Sequence, residues 1–313
     1  MKRHRNKVTV FRRCLRQVAV LLGLLVLLPA LPAGATIKAF VSIAPHSFFV
    51  QEIGGAMVEV EILVPPGQSP ATFEPSPQQL ARLGSADVLF TTGVAFEKRL
   101  IGKIADGFDN LTIVPTHAGI ELRPIERHSD ADHHHGGTED PHVWLDPKLA
   151  GRQARAITDA LKTLDPSSAE IFENNFNRVL RQIDSVDAVI EQMLAPVRGK
   201  TIYVFHPAYG YFADAYGLKQ VAIETGGKQP SARQLAALTE QASADRVNVV
   251  FIQPQFSARQ AEAIGQSIGA RVETLDPLSA NYLNNLVDMA SKIASALANS
   301  KSSPERTAEK QHK

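Results

Sequence analysis

The sequence predicts an α/β protein with two parallel-sheet lobes, and three observations lead to this fold class. Short apolar runs alternate with helix-like stretches, which is typical of parallel sheets. Four of these runs precede a long gap and four follow it. The length of 313 residues suits two lobes at about 150 residues each. Because the gap itself has a helical pattern, we expect one long helix to bridge the two lobes.

The eight apolar runs are the candidate strands of the two sheets. The first four span 37–43, 58–64, 88–92 and 111–114, and the last four span 201–205, 220–223, 247–252 and 271–275. The predicted parts of the chain are a signal peptide at 1–35, an N-terminal lobe at 36–164, a bridging helix at 165–196 and a C-terminal lobe at 197–299. The polar residues 300–313 are expected to form a disordered tail.

The bridging segment carries the most regular apolar pattern in the chain. Its apolar residues recur at steps of four and three, which holds them on one helix face. They are Phe172, Phe176, Val179, Ile183, Val186, Ile190 and Met193. Because no Gly or Pro interrupts 167–195, we expect one helix of about 30 residues, about 45 Å long. A coiled-coil dimer is the alternative, but a position between two matching sets of strands favours a bridge.

Residues 1–35 have the pattern of a cleaved export signal. Seven basic and no acidic residues accompany an apolar run at 18–28, and Ala33-Gly34-Ala35 fits the small-residue rule for cleavage before Thr36. A membrane anchor is the alternative, but a spanning helix needs about 20 apolar residues. Cleavage would also remove Cys14, the only cysteine, so we expect neither a disulfide nor a thiolate metal ligand.

The composition after cleavage is that of a mildly acidic globular protein. Hydrophobic residues make up 44% of the full sequence and charged residues 21%. Removing residues 1–35 takes away seven of the 33 Lys and Arg residues and none of the 32 Asp and Glu residues, which leaves a net charge of −6. The sequence therefore indicates no polybasic surface for DNA or membrane.

Candidate metal ligands follow several of the predicted strands. His46 follows the first strand, while His206 and Asp276 directly follow strands of the second lobe, and His142 precedes a predicted helix. Ligands of open α/β sheets bind beyond the carboxyl ends of the strands, and imidazole and carboxylate groups suit Zn²⁺. The structural alternative is that each histidine is an ordinary hydrogen-bonded residue and that the carboxylate before a proline caps a turn.

The segment 128–142 is rich in histidine. It reads HSDADHHHGGTEDPH, and its histidines besides His142 are His128, His133, His134 and His135. His-rich tracts bind metals, so we expect a flexible auxiliary loop that collects zinc. An expression tag or an inert linker is the alternative, although the tract is internal and is broken by Asp and Gly.

Five segments resemble a known family over nearly the whole mature chain. They are VPPGQSPATFEPSPQQL at 64–80, EDPHVWLDP at 139–147, FHPAYGYFADAYGL at 205–218, FIQPQF at 251–256 and LDPL at 275–278. These segments resemble the periplasmic solute-binding proteins of zinc and manganese ABC importers, the ZnuA-type and TroA-like group. The resemblance implies two lobes bridged by one long rigid helix, with the metal site in the interlobe cleft.

The resemblance also implies the ligands and the function. It makes His142, His206 and Asp276 metal ligands, and a His-rich loop before the DPH motif is similar to the zinc members of the group. The implied function is periplasmic capture of Zn²⁺ as cargo by a monomer, which passes it to an inner-membrane ABC permease and is not an enzyme.

One position departs from the family pattern. Ala71 stands where the pattern has a ligand histidine, and its side chain cannot bind metal. The missing ligand can come from His46, from water, or the site can be altered for another cargo. We expect His46 to supply the fourth ligand.

Three other functions are compatible with the residues. A zinc hydrolase would use an open metal position with Glu74 or Glu224 as base, but the chain has no H-E-x-x-H motif and no nucleophile elbow. Manganese or iron cargo would suit a site with fewer imidazoles. The third alternative is a surface adhesin or scaffold in which zinc is only structural.

Overall fold

The computed structural model describes residues 36–104, 107–125, 139–224 and 231–298. The predicted signal peptide, most of the His-rich segment and the predicted tail lie outside the described residues. The described chain forms two four-stranded parallel sheets with one long helix between them, which confirms the predicted fold class. Within these ranges, every helix is too short or too polar to cross a membrane.

All eight predicted strands are present, and their ends differ from the predicted ends by at most two residues. The strands are β1 Ile37–Val41, β2 Val58–Ile62, β3 Val88–Thr91, β4 Thr112–Pro115, β5 Thr201–Val204, β6 Lys219–Ala222, β7 Val249–Ile252 and β8 Arg271–Thr274. The helices are α1 Ala44–Gly54, α2 Pro77–Leu83, α3 Ala95–Ile104, α4 Pro147–Leu164, α5 Ala169–Leu194, α6 Gly210–Ala215, α7 Ala232–Ala244, α8 Ala258–Ile268 and α9 Tyr282–Ala298.

The two sheets share one strand order. It is β2-β1-β3-β4 in the first sheet and β6-β5-β7-β8 in the second, and all neighbours are parallel. In each sheet, the second strand of the chain lies on one side of the first strand, and the third lies on the other side. Each sheet therefore has a topological switch point, between β1 and β3 and between β5 and β7, where α/β sheets bind ligands.

The long helix α5 joins the two lobes. It has 26 residues and is about 39 Å long. Single 3₁₀ turns flank it at Pro166–Ser168 and Ala195–Val197, so the regular α-helix is shorter than the predicted segment. It packs against α1 and α4 on the side of the first sheet and against α9 on the side of the second. One hydrophobic core consequently runs from the first sheet along α5 to the second.

The apolar face of α5 differs from the predicted face at its C-terminal end. Met193 was predicted to be on the buried face, but it is 36% exposed, and Leu194 is buried instead. The predicted steps average 3.5 residues, whereas an α-helix has 3.6 residues per turn, so the two drift apart along the helix. At about 100° per residue, Met193 lies about 60° from the direction of Phe172 and Leu194 only about 40°.

We expect Leu194→Ala to lower the free energy of unfolding by about 2–5 kcal/mol, because it leaves a cavity in the core. The matched control is Met193→Ala, which should change it by no more than about 0.5 kcal/mol at a surface position. Urea denaturation followed by circular dichroism measures both. Equal effects of the two substitutions would contradict the observed orientation of α5.

Candidate metal centre

The structure brings two predicted ligands, His142 and His206, into contact. Their ring centroids lie 5.4 Å apart and their planes are nearly perpendicular. His206 follows β5 at the switch point of the second sheet, whereas His142 precedes the turn Val143–Leu145 that leads into α4. The side chain of His206 is 23% exposed and that of His142 is 12% exposed. Two mostly buried imidazoles, one from each lobe, form the core of a candidate metal centre.

Each of these imidazoles is held by a buried carboxylate. Asp140 Oδ1 lies 2.6 Å from Nδ1 of His142, and Glu224 Oε1 makes a short hydrogen bond with Nδ1 of His206. Both carboxylate side chains are 2% exposed. A carboxylate that accepts the Nδ1 proton fixes the tautomer in which Nε2 keeps its lone pair. The Nε2 atoms are therefore the nitrogens available to a metal ion.

Sequence reasoning did not find these two partners. Asp140 stands two residues before His142 in the DPH motif, where its role could have been considered, but Glu224 is 18 residues away from His206. Glu224 directly continues the chain beyond β6, the strand paired with β5. Only the pairing of the two strands shows that these side chains meet.

Asp276 follows β8, as predicted, and its Oδ1 is already engaged. It accepts hydrogen bonds from the backbone N–H of Leu278 at 3.0 Å and from Nε2 of Gln255 at 3.3 Å. The hydrogen bond from Leu278 is the turn-capping contact expected if Asp276 had only a structural role. It is compatible with metal binding, because a carboxylate has two oxygens and several lone pairs.

The predicted ligands do not form one preformed cluster. Across the parts of the chain that the structure describes, no group of three or more His, Cys, Asp or Glu side chains is placed so that it could hold a metal ion. The imidazole pair is in place, but the full ligand set remains a prediction. The auxiliary histidines His128, His133, His134 and His135 lie outside the described residues.

His46 is wholly buried in the first turn of α1. Its ring lies 6.1 Å from the ring of Phe49 and 6.3 Å from that of Trp144, measured between centroids. Among the described residues, neither of its ring nitrogens has a hydrogen-bond partner. Trp144 also contacts His142, at 5.2 Å between centroids. The indole therefore lies next to two of the predicted ligands.

Trp144 also ties this region to the loop after β8. Its Nε1 donates a 2.7 Å hydrogen bond to the carbonyl of Pro277, the residue after Asp276. Its own carbonyl accepts a 2.6 Å hydrogen bond from Tyr282 Oη at the start of α9. The loops that carry His142 and Asp276 are thus joined through one buried side chain.

Ala71, in contrast, is exposed between β2 and α2.

Burial lowers the pKa of His46 from its ordinary value of 6.5 to about 4. Charge repulsion from His117 lowers it further, whereas the side chain of Gln153 opposes the shift. The unfolded state therefore binds a proton below pH 6.5 that the folded state binds only near pH 4. The stability contributed by His46 is complete above pH 6.5 and is lost as the pH falls from there toward 4.

We expect the metal-free protein to lose about 2 kcal/mol of unfolding free energy through His46 between about pH 7.5 and about pH 5. Replacing His46 with Gln should remove this part of the pH dependence. Urea denaturation of both proteins at the two pH values measures the difference. An equal loss in the His46→Gln variant would show that other groups cause the acid sensitivity.

Glu224→Gln and Asp140→Asn are each expected to lower the zinc affinity by about 10- to 100-fold, the usual effect of losing a partner of a ligand histidine. An amide can present its NH₂ group to Nδ1 and so no longer favours one tautomer. Competition with a chromogenic zinc chelator measures the affinity. Glu273→Gln, which removes a carboxylate that pairs with Arg271 on β8 outside the centre, is the control and should bind zinc like the wild type.

Comparison with known proteins agrees with this fold. A crystal structure of ZnuA superposes with a TM-score of 0.77 at 37% identity and covers 84% of this chain and 99% of that one. A ZnuA deletion mutant with zinc bound also gives 0.77 at 37% identity, covering 87% and 100%. The high-affinity zinc uptake protein ZnuA of Yersinia pestis is 29% identical over 323 residues, which is 94% of this chain and 99% of that protein.

These similarities define the class first and then the family. Two parallel-sheet lobes bridged by one long helix are an architecture that this chain shares with the ZnuA structures. The family model described as zinc-uptake complex component A, periplasmic, matches residues 40–297. The chain belongs to this ZnuA family.

Proposed function

We propose that this protein binds Zn²⁺ in the periplasm and delivers it to an ABC importer of the inner membrane. The observation that carries the proposal is the contact between His142 and His206, each with a buried carboxylate on Nδ1. Membership of the zinc-uptake family supports the same function. Neutral imidazole nitrogens are ligands that zinc prefers.

The proposed ligands are His142, His206 and Asp276, with His46 as the fourth. The first two already meet, and Asp276 lies in the loop that Trp144 ties to the loop of His142. His46 contacts the same indole, and it replaces the imidazole that Ala71 cannot provide. Small shifts of these loops would complete the shell when the ion binds.

The imidazole-rich set favours zinc over manganese or iron, which suit more oxygen ligands. An enzymatic function is disfavoured by the position of Glu224, one of the two candidate bases. This carboxylate is buried and is engaged with Nδ1 of His206. It orients a ligand and is not free to activate a water molecule. A carrier that binds and releases the ion needs no such base.

The proposed cycle uses local changes and no large hinge motion. Because α5 packs against helices of both lobes, a large relative rotation of the lobes would disrupt one continuous core. Release would follow small loop shifts when the monomer docks on the permease. The auxiliary histidines at 128 and 133–135 would collect zinc, and the signal at 1–35 would direct export.

A metal panel tests the proposal. Isothermal titration of the purified mature protein with Zn²⁺, Mn²⁺ and Fe²⁺ should give the tightest binding for Zn²⁺. The matching measurement in cells is zinc-limited growth of a strain that lacks the gene, which the wild-type gene should restore. Tighter binding of Mn²⁺ than of Zn²⁺ would replace the proposed cargo with the manganese alternative.

A further inference from the structure

Four side chains near the first sheet carry buried polar atoms that have no hydrogen-bond partner in the described part of the chain. The atoms are Nδ1 and Nε2 of His46, Oγ1 of Thr92, Nδ1 of His117 and Oε1 of Gln153. We call these four residues the inner polar cluster. Unpaired buried polar groups cost about 1–3 kcal/mol each, and most have a partner in native proteins. Such a concentration of polar atoms makes this region a candidate binding position for an ion or ordered water.

The sheet places three members of the inner polar cluster side by side. The strands β1, β3 and β4 are adjacent, and their register pairs Phe90 with Val41 and Thr91 with Pro115. His46, Thr92 and His117 follow these strands, so all three lie beyond the carboxyl edge of one sheet. This is the first switch point, where ligands of α/β sheets bind.

The amide of Gln153 is oriented by its neighbours. The hydroxyl of Thr116 donates its one proton to the carbonyl of Thr91 at 2.8 Å, so it can only accept from Gln153. The group 3.1 Å from Thr116 Oγ1 is therefore the NH₂ of the amide. Its Oε1 is left as an acceptor, and α4, which carries Gln153, packs against α1, which carries His46.

His117 connects the inner polar cluster to the surface. It is only partly buried, and this burial lowers the pKa of its imidazole, whereas the nearby charge of Glu139 opposes the shift. Its ring lies against Gly93, whose positive φ of 93° favours glycine; an added Cβ there would sit 3.4 Å from Cε1 of His117. The ring of His117 therefore lies beside Gly93, the residue after Thr92 of the cluster.

The donor set of the inner polar cluster matches a metal ion. Each neutral imidazole offers one nitrogen lone pair, and Gln153 and Thr92 offer oxygen lone pairs. The two imidazole nitrogens are ligands that zinc prefers, and the neutral amide and hydroxyl oxygens would complete the shell. Ordered water is the other occupant that such groups can hold.

We propose that the inner polar cluster is a second binding position for a divalent transition-metal ion, with His46, His117 and Gln153 as ligands. This inference rests on the proposed function, because the ion is the same cargo and His46 is common to both positions. When both positions are filled, His46 binds the ion in the inner polar cluster. The ion in the candidate metal centre then keeps His142, His206 and Asp276 as its ligands. Transfer of His46 between them would loosen the first ion for release.

The test counts zinc ions per chain by equilibrium dialysis and metal analysis. The background is the full mature chain with His128→Ser, His133→Ser, His134→Ser and His135→Ser, which removes the auxiliary histidines. With Zn²⁺ alone as the probe, this background should bind two ions. Adding His117→Ala should leave one, adding His206→Ala should leave one, and the double variant should bind none. The control His312→Ala should still bind two.

A second readout keeps the result independent of folding. Imidazole ¹⁵N NMR of the background protein should show a shift of Nδ1 of His117 on the second equivalent of Zn²⁺, and His117→Asn should bind one ion with an unchanged thermal midpoint. Two ions in His117→Ala, or no shift at His117, would show that the cluster holds only water. Loss of an ion with His117→Ala but not with His206→Ala would overturn the proposed function and support this inference.

Discussion

His206→Ala is expected to lower the zinc affinity of the protein by at least about 100-fold, because losing only the partner of a ligand histidine already costs about 10- to 100-fold. The substitution removes one imidazole of the His142–His206 pair and leaves the Glu224 carboxylate buried without its hydrogen-bond donor. It therefore weakens both the ligand shell and its support. Competition titration against a zinc chelator of known affinity measures the change.

Two further variants make this result specific. Asp276→Ala should produce a loss of the same order, since it removes the predicted carboxylate ligand from the loop after β8. His312→Ala removes an imidazole from the predicted tail and should leave the affinity unchanged. If His206→Ala and Asp276→Ala bind zinc as tightly as the wild type, the assigned site is wrong.

Trp144→Ala is expected to have the largest effect on stability, about 3–5 kcal/mol of unfolding free energy, the range for deleting a large buried aromatic side chain. The indole is 1% exposed, and its hydrogen bond to Pro277 joins the loops of His142 and Asp276. The variant should therefore also bind zinc more weakly, even though it removes no ligand. Urea denaturation of the metal-free protein and chelator competition measure the two effects.

Trp144→Phe separates packing from the hydrogen bond. The smaller ring keeps much of the aromatic contact with His142 and His46 but cannot donate to Pro277. Its stability loss should be clearly smaller than that of the Ala variant. Zinc affinity that is unchanged in Trp144→Ala would show that the two loops find their positions without the indole.

Local sequence patterns were sufficient to predict most of the fold. Most strands lie in short runs rich in apolar residues, and such runs stand out from the helix-like stretches between them. The long helix also follows from a one-sided apolar pattern. The error at Met193 arose because a repeat of 3.5 residues was extended over six turns of a helix with 3.6 residues per turn. The direction of side chains at the C-terminal end of α5 can be predicted only with the true helix period of 3.6 residues per turn.

The candidate site was predictable only in part. His142 and His206 were found because they stand in motifs at the ends of secondary-structure elements, and the structure brings them together. The support of His206 by Glu224 was not predictable, because it depends on the pairing of β5 with β6. The complete burial of His46 likewise depends on packing against Phe49 and Trp144, which no local pattern shows.

A crystal structure of the zinc complex, with anomalous scattering recorded at the zinc edge, tests the central claim most directly. We expect an anomalous peak within about 2.0–2.2 Å of Nε2 of His142, Nε2 of His206 and a carboxylate oxygen of Asp276. Nδ1 of each histidine should remain hydrogen-bonded to its carboxylate. A zinc-loaded crystal with no peak between His142 and His206 would contradict the assigned site.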